Sequence, residues 1–134
     1  MLLTRTLPLV LAGGLALGLS ACGGSDSDDV KSSLEDYNQA VADKDAGKAC
    51  GLLSDAAKRT IGGKSCEATL QSGFRLLNAK QLAAFNRTEI SNIKVNGDKA
   101  SATITFPKDS GVPQQTQTLV KENGDWHLQA AGAK

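Results

Sequence analysis

The stretch Ile93-Lys94-Val95-Asn96-Gly97-Asp98-Lys99-Ala100-Ser101-Ala102-Thr103-Ile104-Thr105-Phe106 decides the fold. Apolar and polar residues alternate on both sides of an Asn-Gly pair, which is the pattern of two half-buried strands joined by a tight turn. A loop at Asn96-Gly97 sets Val95 against Asp98 and Ile93 against Ala100. A loop at Gly97-Asp98 keeps the same residues on the same face, so the pattern leaves the register open. Farther on, Asn123-Gly124 joins a strand over Gln114 to Glu122 to a last strand over Asp125 to Ala130, with Pro107 to Pro113 as the loop before them. Pairing across that second turn puts Leu119 opposite Leu128 and Lys121 opposite Trp126. Trp126, Leu128 and Ala130 then share a face, and His127 and Gln129 take the other. Four antiparallel strands with one apolar face follow.

Upstream of Arg87 the apolar period is that of helices. Val30, Leu34, Tyr37 and Val41 recur at steps of four, three and four, which predicts a helix over Val30 to Asp45 with Ser27, Asp28 or Asp29 as its cap. A second helix is expected from Lys48 to Ile61, with Cys50, Leu53, Ala57 and Ile61 inward and Gly62-Gly63 ending it. A third is expected from Cys66 to Asn78, with Leu70, Phe74 and Leu77 inward and a further turn or two taking in Leu82 and Phe85. Two or three amino-terminal helices must cover the apolar face of the sheet, so the fold class is α+β.

Before these elements, Leu7 to Leu19 is apolar apart from Pro8 and three glycines, behind a single Arg5. About a dozen residues suit the core of an export signal and fall short of the ~20 needed to span a bilayer. The run ends Leu19-Ser20-Ala21-Cys22, which resembles the bacterial lipobox. That resemblance implies a diacylglyceryl group on the Cys22 thiol and cleavage before it, hence attachment to a cell membrane on its extracytoplasmic side. An ordinary signal peptide with an incidental cysteine is the plainer reading. The resemblance divides the chain into a signal peptide over 1–21, an acylated Cys22 with an acidic tether to residue 29, and one domain over 30–131. Export places the remaining cysteines, Cys50 and Cys66, in an oxidising compartment, where a pair is expected to bridge; two free buried thiols are the alternative. A metal site lacks ligand spacing, with His127 the single histidine.

Arg5 falls in the leader, so the mature chain has as many acids as bases. With 4% aromatic residues as well, nucleic acid is not expected as a partner. The helix stripe with Tyr37, then "KACGLLS", "IKVNGDKASATI" and "LVKENGDWHL", resembles small exported lipoproteins of the NTF2-like superfamily. The resemblance implies helices on a strongly curved sheet, forming a cone with a pocket at its wide end. A cystatin-like helix-on-sheet arrangement shares much of that geometry. Residues lining such a pocket would be Tyr37, Phe74, Leu77, Phe106 and Trp126. Enzymes of the superfamily need an inward carboxylate or His and a donor such as Tyr. Tyr37 fits the donor, but no acid or His alternates inward on the strands. Gly62-Gly63-Lys64-Ser65 lacks the upstream glycine and preceding strand of a phosphate loop. The expected function is a membrane-tethered, non-catalytic module, without a cofactor, for an apolar small molecule or an envelope protein. An isomerase- or dehydratase-type enzyme using Tyr37 and a structural role in the envelope are the alternatives.

Overall fold

The computed structural model describes residues 25–130. The leader, Cys22 with Gly23-Gly24, and Ala131 lie outside the described residues. Five helices pack against one four-stranded antiparallel sheet, so the α+β class holds, with five helices where two or three were expected.

Helix α1 runs Asp26–Ala42, capped by Ser25, whose hydroxyl accepts from the Asp28 N–H. It thus begins four residues before Val30 and carries Asp26, Asp28 and Asp29 in its first turn. Negative charge there complements the helix dipole, so the acidic run is helical rather than a loose tether. The single helix expected over Lys48 to Ile61 is two, α2 (Ala46–Gly51) and α3 (Asp55–Ile61). The break is imposed from across the molecule. The Ser54 N–H donates to the Leu128 carbonyl at 2.8 Å, and the Leu128 N–H donates to the Leu52 carbonyl at 2.9 Å. Ser54 then caps α3, accepting from the Ala57 N–H at 3.1 Å. Likewise the helix expected from Cys66 to Asn78 stops at Arg75. Asn78 instead caps α5 (Ala79–Phe85) in a reciprocal box with Gln81, leaving α4 as Cys66–Arg75. Short helices win here because good capping residues sit inside the apolar runs.

The strands β1 (Glu89–Asn96), β2 (Lys99–Thr105), β3 (Gln115–Glu122) and β4 (Asp125–Leu128) follow one another in the sheet in chain order. The first hairpin resolves in favour of Gly97-Asp98, since Asn96 pairs with Lys99 and Val95 with Ala100. Gly97 takes φ +60°, a conformation that costs glycine little. Leu119 pairs with Leu128 and Lys121 with Trp126, as the sequence pattern predicts. One feature of β1 breaks simple alternation. Ser91 pairs with Thr103 and Lys94 with Ser101, so two residues, Asn92 and Ile93, oppose Ala102 alone. This bulge, with Asn92 at φ +50°, brings Ile90 and Val95 to the same face although they are five apart. Both then pack on the core. At the opposite edge, β4 is covered at Leu128 by residues 52–54, which removes part of an open strand edge.

Val30, Leu34, Leu53, Ala100, Ile104, Leu119, Trp126 and Leu128 belong to one buried cluster between the helices and the sheet. Cys50, near the end of α2, is bridged to Cys66, the first residue of α4. The expected disulfide is therefore present, and it joins the end of α2 to the start of α4. Its sequence separation of 16 corresponds to ~3 kcal/mol of loop-closure entropy removed from the unfolded chain. Replacing both cysteines (Cys50→Ala with Cys66→Ala) should lower the unfolding free energy by ~3 kcal/mol in urea titration, with the far-ultraviolet spectrum unchanged.

Candidate functional site

The five residues read as a common pocket fall into two packed clusters. Trp126 and Phe106, 3% and 6% exposed, belong to the cluster between α1 and the sheet. The Phe106 ring meets Phe85 edge-on at 5.0 Å between centroids. Phe74 lies in a second cluster with Ala40, Val41, Ala46, Ala49 and Leu82, and Leu77 packs half-buried against it. Tyr37 touches both clusters. The helical and strand periods place these side chains inward, and they pack in the two clusters.

Tyr37 is half-buried. Burial pushes its hydroxyl above the ordinary pKa of 10.0, so it stays protonated at neutral pH. Among the described residues no Asp, Glu or His hydrogen-bonds to it. His127 pairs with Val120 on the face of the sheet away from α1, so the sheet stands between the histidine and Tyr37. Its Nδ1 is buried with no hydrogen-bond partner. Proton transfer between Tyr37 and His127 has no path in this arrangement.

Among the described residues, two of the surface hollows have volumes of about 220 and 210 Å³. Both are below the ~300–1,000 Å³ range of small-molecule pockets. The second is lined by Glu35, Asn38, Gln39, Phe85, Asn86 and Thr88. Asn38, 4% exposed, sits four residues after Leu34 on the buried side of α1. Its amide nitrogen donates to the Thr88 hydroxyl oxygen at 2.9 Å, and that hydroxyl donates to the Phe85 carbonyl at 3.5 Å. This chain staples α1 to the connection between α5 and β1. A polar residue on an otherwise apolar stripe was the available signal in the sequence, but its partner lies fifty residues away. The hollow offers amides and a carboxylate for hydrogen bonding. It holds no nucleophile beside a base.

The first hollow lies between the start of α1 and the turn joining β3 to β4, lined by Asp29, Ser32, Ser33, Gly124, Asp125 and Trp126. Beside it the Lys121 ammonium donates to the Asp26 carboxylate at 2.9 Å and stands 5.6 Å from the Trp126 ring centroid, within cation–π range. The hydrogen bond and charge of Lys121 hold Asp26 below the ordinary carboxylate value of 3.8, and Asp26 in turn holds Lys121 above 10.5. The Trp126 indole N–H is near enough to Asp26 to favour its ionised form but does not reach hydrogen-bond geometry. This clasp fixes the first turn of α1 to the inner face of the sheet. Among the described residues no cluster of three His, Cys, Asp or Glu side chains is arranged to hold a metal ion.

Thr88→Val should leave the buried Asn38 amide without its acceptor and cost ~1–3 kcal/mol, measured by chemical denaturation. The clasp gives a pH signature. Asp26 is lowered on folding, so its contribution is complete above 3.8 and is lost as pH falls through its depressed folded value. Lys121 is raised, so its contribution is complete below 10.5 and is lost as pH rises through its folded value. The difference in melting temperature between the natural chain and Lys121→Met should therefore be flat from about pH 5 to 9 and shrink beyond both ends. Compared with known proteins, the chain matches no family model and no curated protein.

Proposed function

We propose that the chain is a lipoprotein held by acyl groups on Cys22 at the extracytoplasmic side of a membrane, its domain a non-catalytic binding module. The observation that carries this is Leu19-Ser20-Ala21-Cys22 at the end of a short apolar run behind a basic residue. Each buried methylene of the acyl chains contributes ~0.8 kcal/mol, so two or more chains make an anchor that is slow to reverse. The Cys50–Cys66 disulfide is consistent with an oxidising compartment. Among the described residues no helix is long and apolar enough to cross a membrane.

The domain is proposed to be NTF2-like. Support comes from the order of helices before a four-stranded meander and from the long α1 lying over its apolar face. The small size of the two surface hollows favours recognition of a protein or a small polar ligand over capture of a large apolar molecule. The hydrogen-bonding groups around Asn38 and Thr88 suit the polar alternative. The isomerase or dehydratase reading requires a base at the Tyr37 hydroxyl, and none of the described residues supplies one.

Cys22→Ser should abolish the acyl mass and move the chain from the membrane pellet to the supernatant, with the melting temperature of the domain unchanged. Intact-mass spectrometry and cell fractionation check this. A natural chain that carries a bare or uncut amino terminus overturns the membrane reading. Crosslinking of intact cells followed by mass spectrometry identifies the partner.

A further inference from the structure

The hollow between α1 and the α5–β1 connection is built around one residue that breaks the apolar stripe of its helix. Asn38 stands four residues after Leu34, where that stripe calls for an apolar side chain, and it is 4% exposed. A buried amide costs stability unless its polar groups find partners. Its nitrogen finds the Thr88 hydroxyl at 2.9 Å, and Thr88 donates onward to the Phe85 carbonyl. Among the described residues nothing donates to its Oδ1. Nor is that oxygen among the enclosed atoms left without a partner, which are Trp126 Nε1 and His127 Nδ1. It therefore opens on the hollow that Asn38 lines.

The other groups around the hollow are unbalanced in the same sense. The Gln39 amide nitrogen donates to the Asp43 carboxylate at 2.9 Å, and among the described residues nothing donates to its carbonyl oxygen. Glu35 meets Lys31 only at 3.8 Å, with both side chains more than half exposed, which holds the carboxylate weakly. Arg87, next in the chain to Asn86, is turned to Asp109 at 4.0 Å. The hollow thus presents acceptors whose donors must come from outside the domain. Its field is negative as well. Glu35, Asn38 and Gln39 lie in the second half of α1, whose last turn carries no basic residue. The carbonyl end of a helix favours a cation, and here the chain supplies none.

We infer that this hollow binds a guanidinium group, carried by a small molecule or by an arginine of a partner protein. The inference rests on the binding-module reading above and names its ligand chemistry. An anion is repelled by Glu35 and by the carbonyl end of α1, and a bare metal ion finds a single carboxylate in the lining. A guanidinium is cationic and carries only N–H donors, set in a planar fork, so it complements Glu35 together with the two carbonyl oxygens. It is more weakly hydrated than an ammonium and packs on aromatic carbon. Phe85 provides that wall, half-buried and meeting Phe106 edge-on at 5.0 Å. A hollow of about 210 Å³ admits such a head group and is too small for a drug-sized ligand.

The test follows the Asn38 side-chain amide resonance of the full chain by NMR during titration. Ethylguanidine stands for a free guanidine compound. A blocked glycine–arginine–glycine peptide stands for an arginine of a partner, and the same peptide with citrulline is its uncharged isostere. The guanidinium probes should shift the resonance with millimolar affinity, and the citrulline peptide should bind at least about tenfold more weakly. Tighter binding of the peptide than of ethylguanidine assigns the site to a partner's arginine, and the reverse order to a small molecule. Glu35→Gln, at an exposed position, should weaken binding about fivefold. Asp36→Asn removes the same charge from a residue that does not line the hollow and should change binding by less than about twofold. Citrulline binding as tightly as arginine, or equal losses in the two variants, overturns the guanidinium site and leaves the module reading in place. So does an Asn38 resonance that no probe moves. That last result, together with intact cells that yield no crosslinked partner, overturns the module reading too.

Discussion

Burial of one sheet face beneath α1 is the constraint on which the rest of the molecule depends. Leu119 and Leu128, paired across β3 and β4, share a cluster with Val30 and Leu34 of α1. Each such side chain removed from water contributes ~1.5–3 kcal/mol, and none of the hydrogen bonds or ion pairs at the edges approaches their sum. The demand for a continuous apolar face explains the bulge at Asn92. Without it, Ile90 or Val95 would turn to the solvent. The same demand explains why Leu53 leaves helical geometry to reach Leu128, splitting a run of good helix formers into α2 and α3.

Around this core the polar groups act as registration devices. Asn38 with Thr88 fixes α1 against the α5–β1 connection, and Asp26 with Lys121 fixes its first turn against β3. The exposed Asp26–Lys121 pair adds little stability, as surface pairs generally do. Its consequence is positional, because α1 is the element that follows the proposed anchor.

Much of the sheet was legible in the sequence because its signals are local. Period-two alternation around Asn-Gly pairs fixes which residues share a face, and at Asn123-Gly124 it fixes the Leu119–Leu128 and Lys121–Trp126 pairs. The stripe of α1 is equally local. The pairing of Cys50 with Cys66 was expected only on the premise of an oxidising compartment. Helix ends are less legible, since Ser54 falls inside an expected helix and Asn78 at the end of one. Their capping role emerges once Leu128 and Gln81 are seen to partner their neighbourhoods.

The α+β class, the inward set of side chains and the hairpin order are all local properties of the chain, because turn chemistry and hydrophobic period act within a few residues. Which of those side chains meet in one cluster and which in the other took the tertiary structure to show. That depends on how α1, α4, α5 and the sheet come together, which no local pattern records. The tertiary structure also decided the partners of Asn38 and Asp26, which lie 50 and 95 residues away. Contacts at such separations exist only after the core has placed the elements side by side.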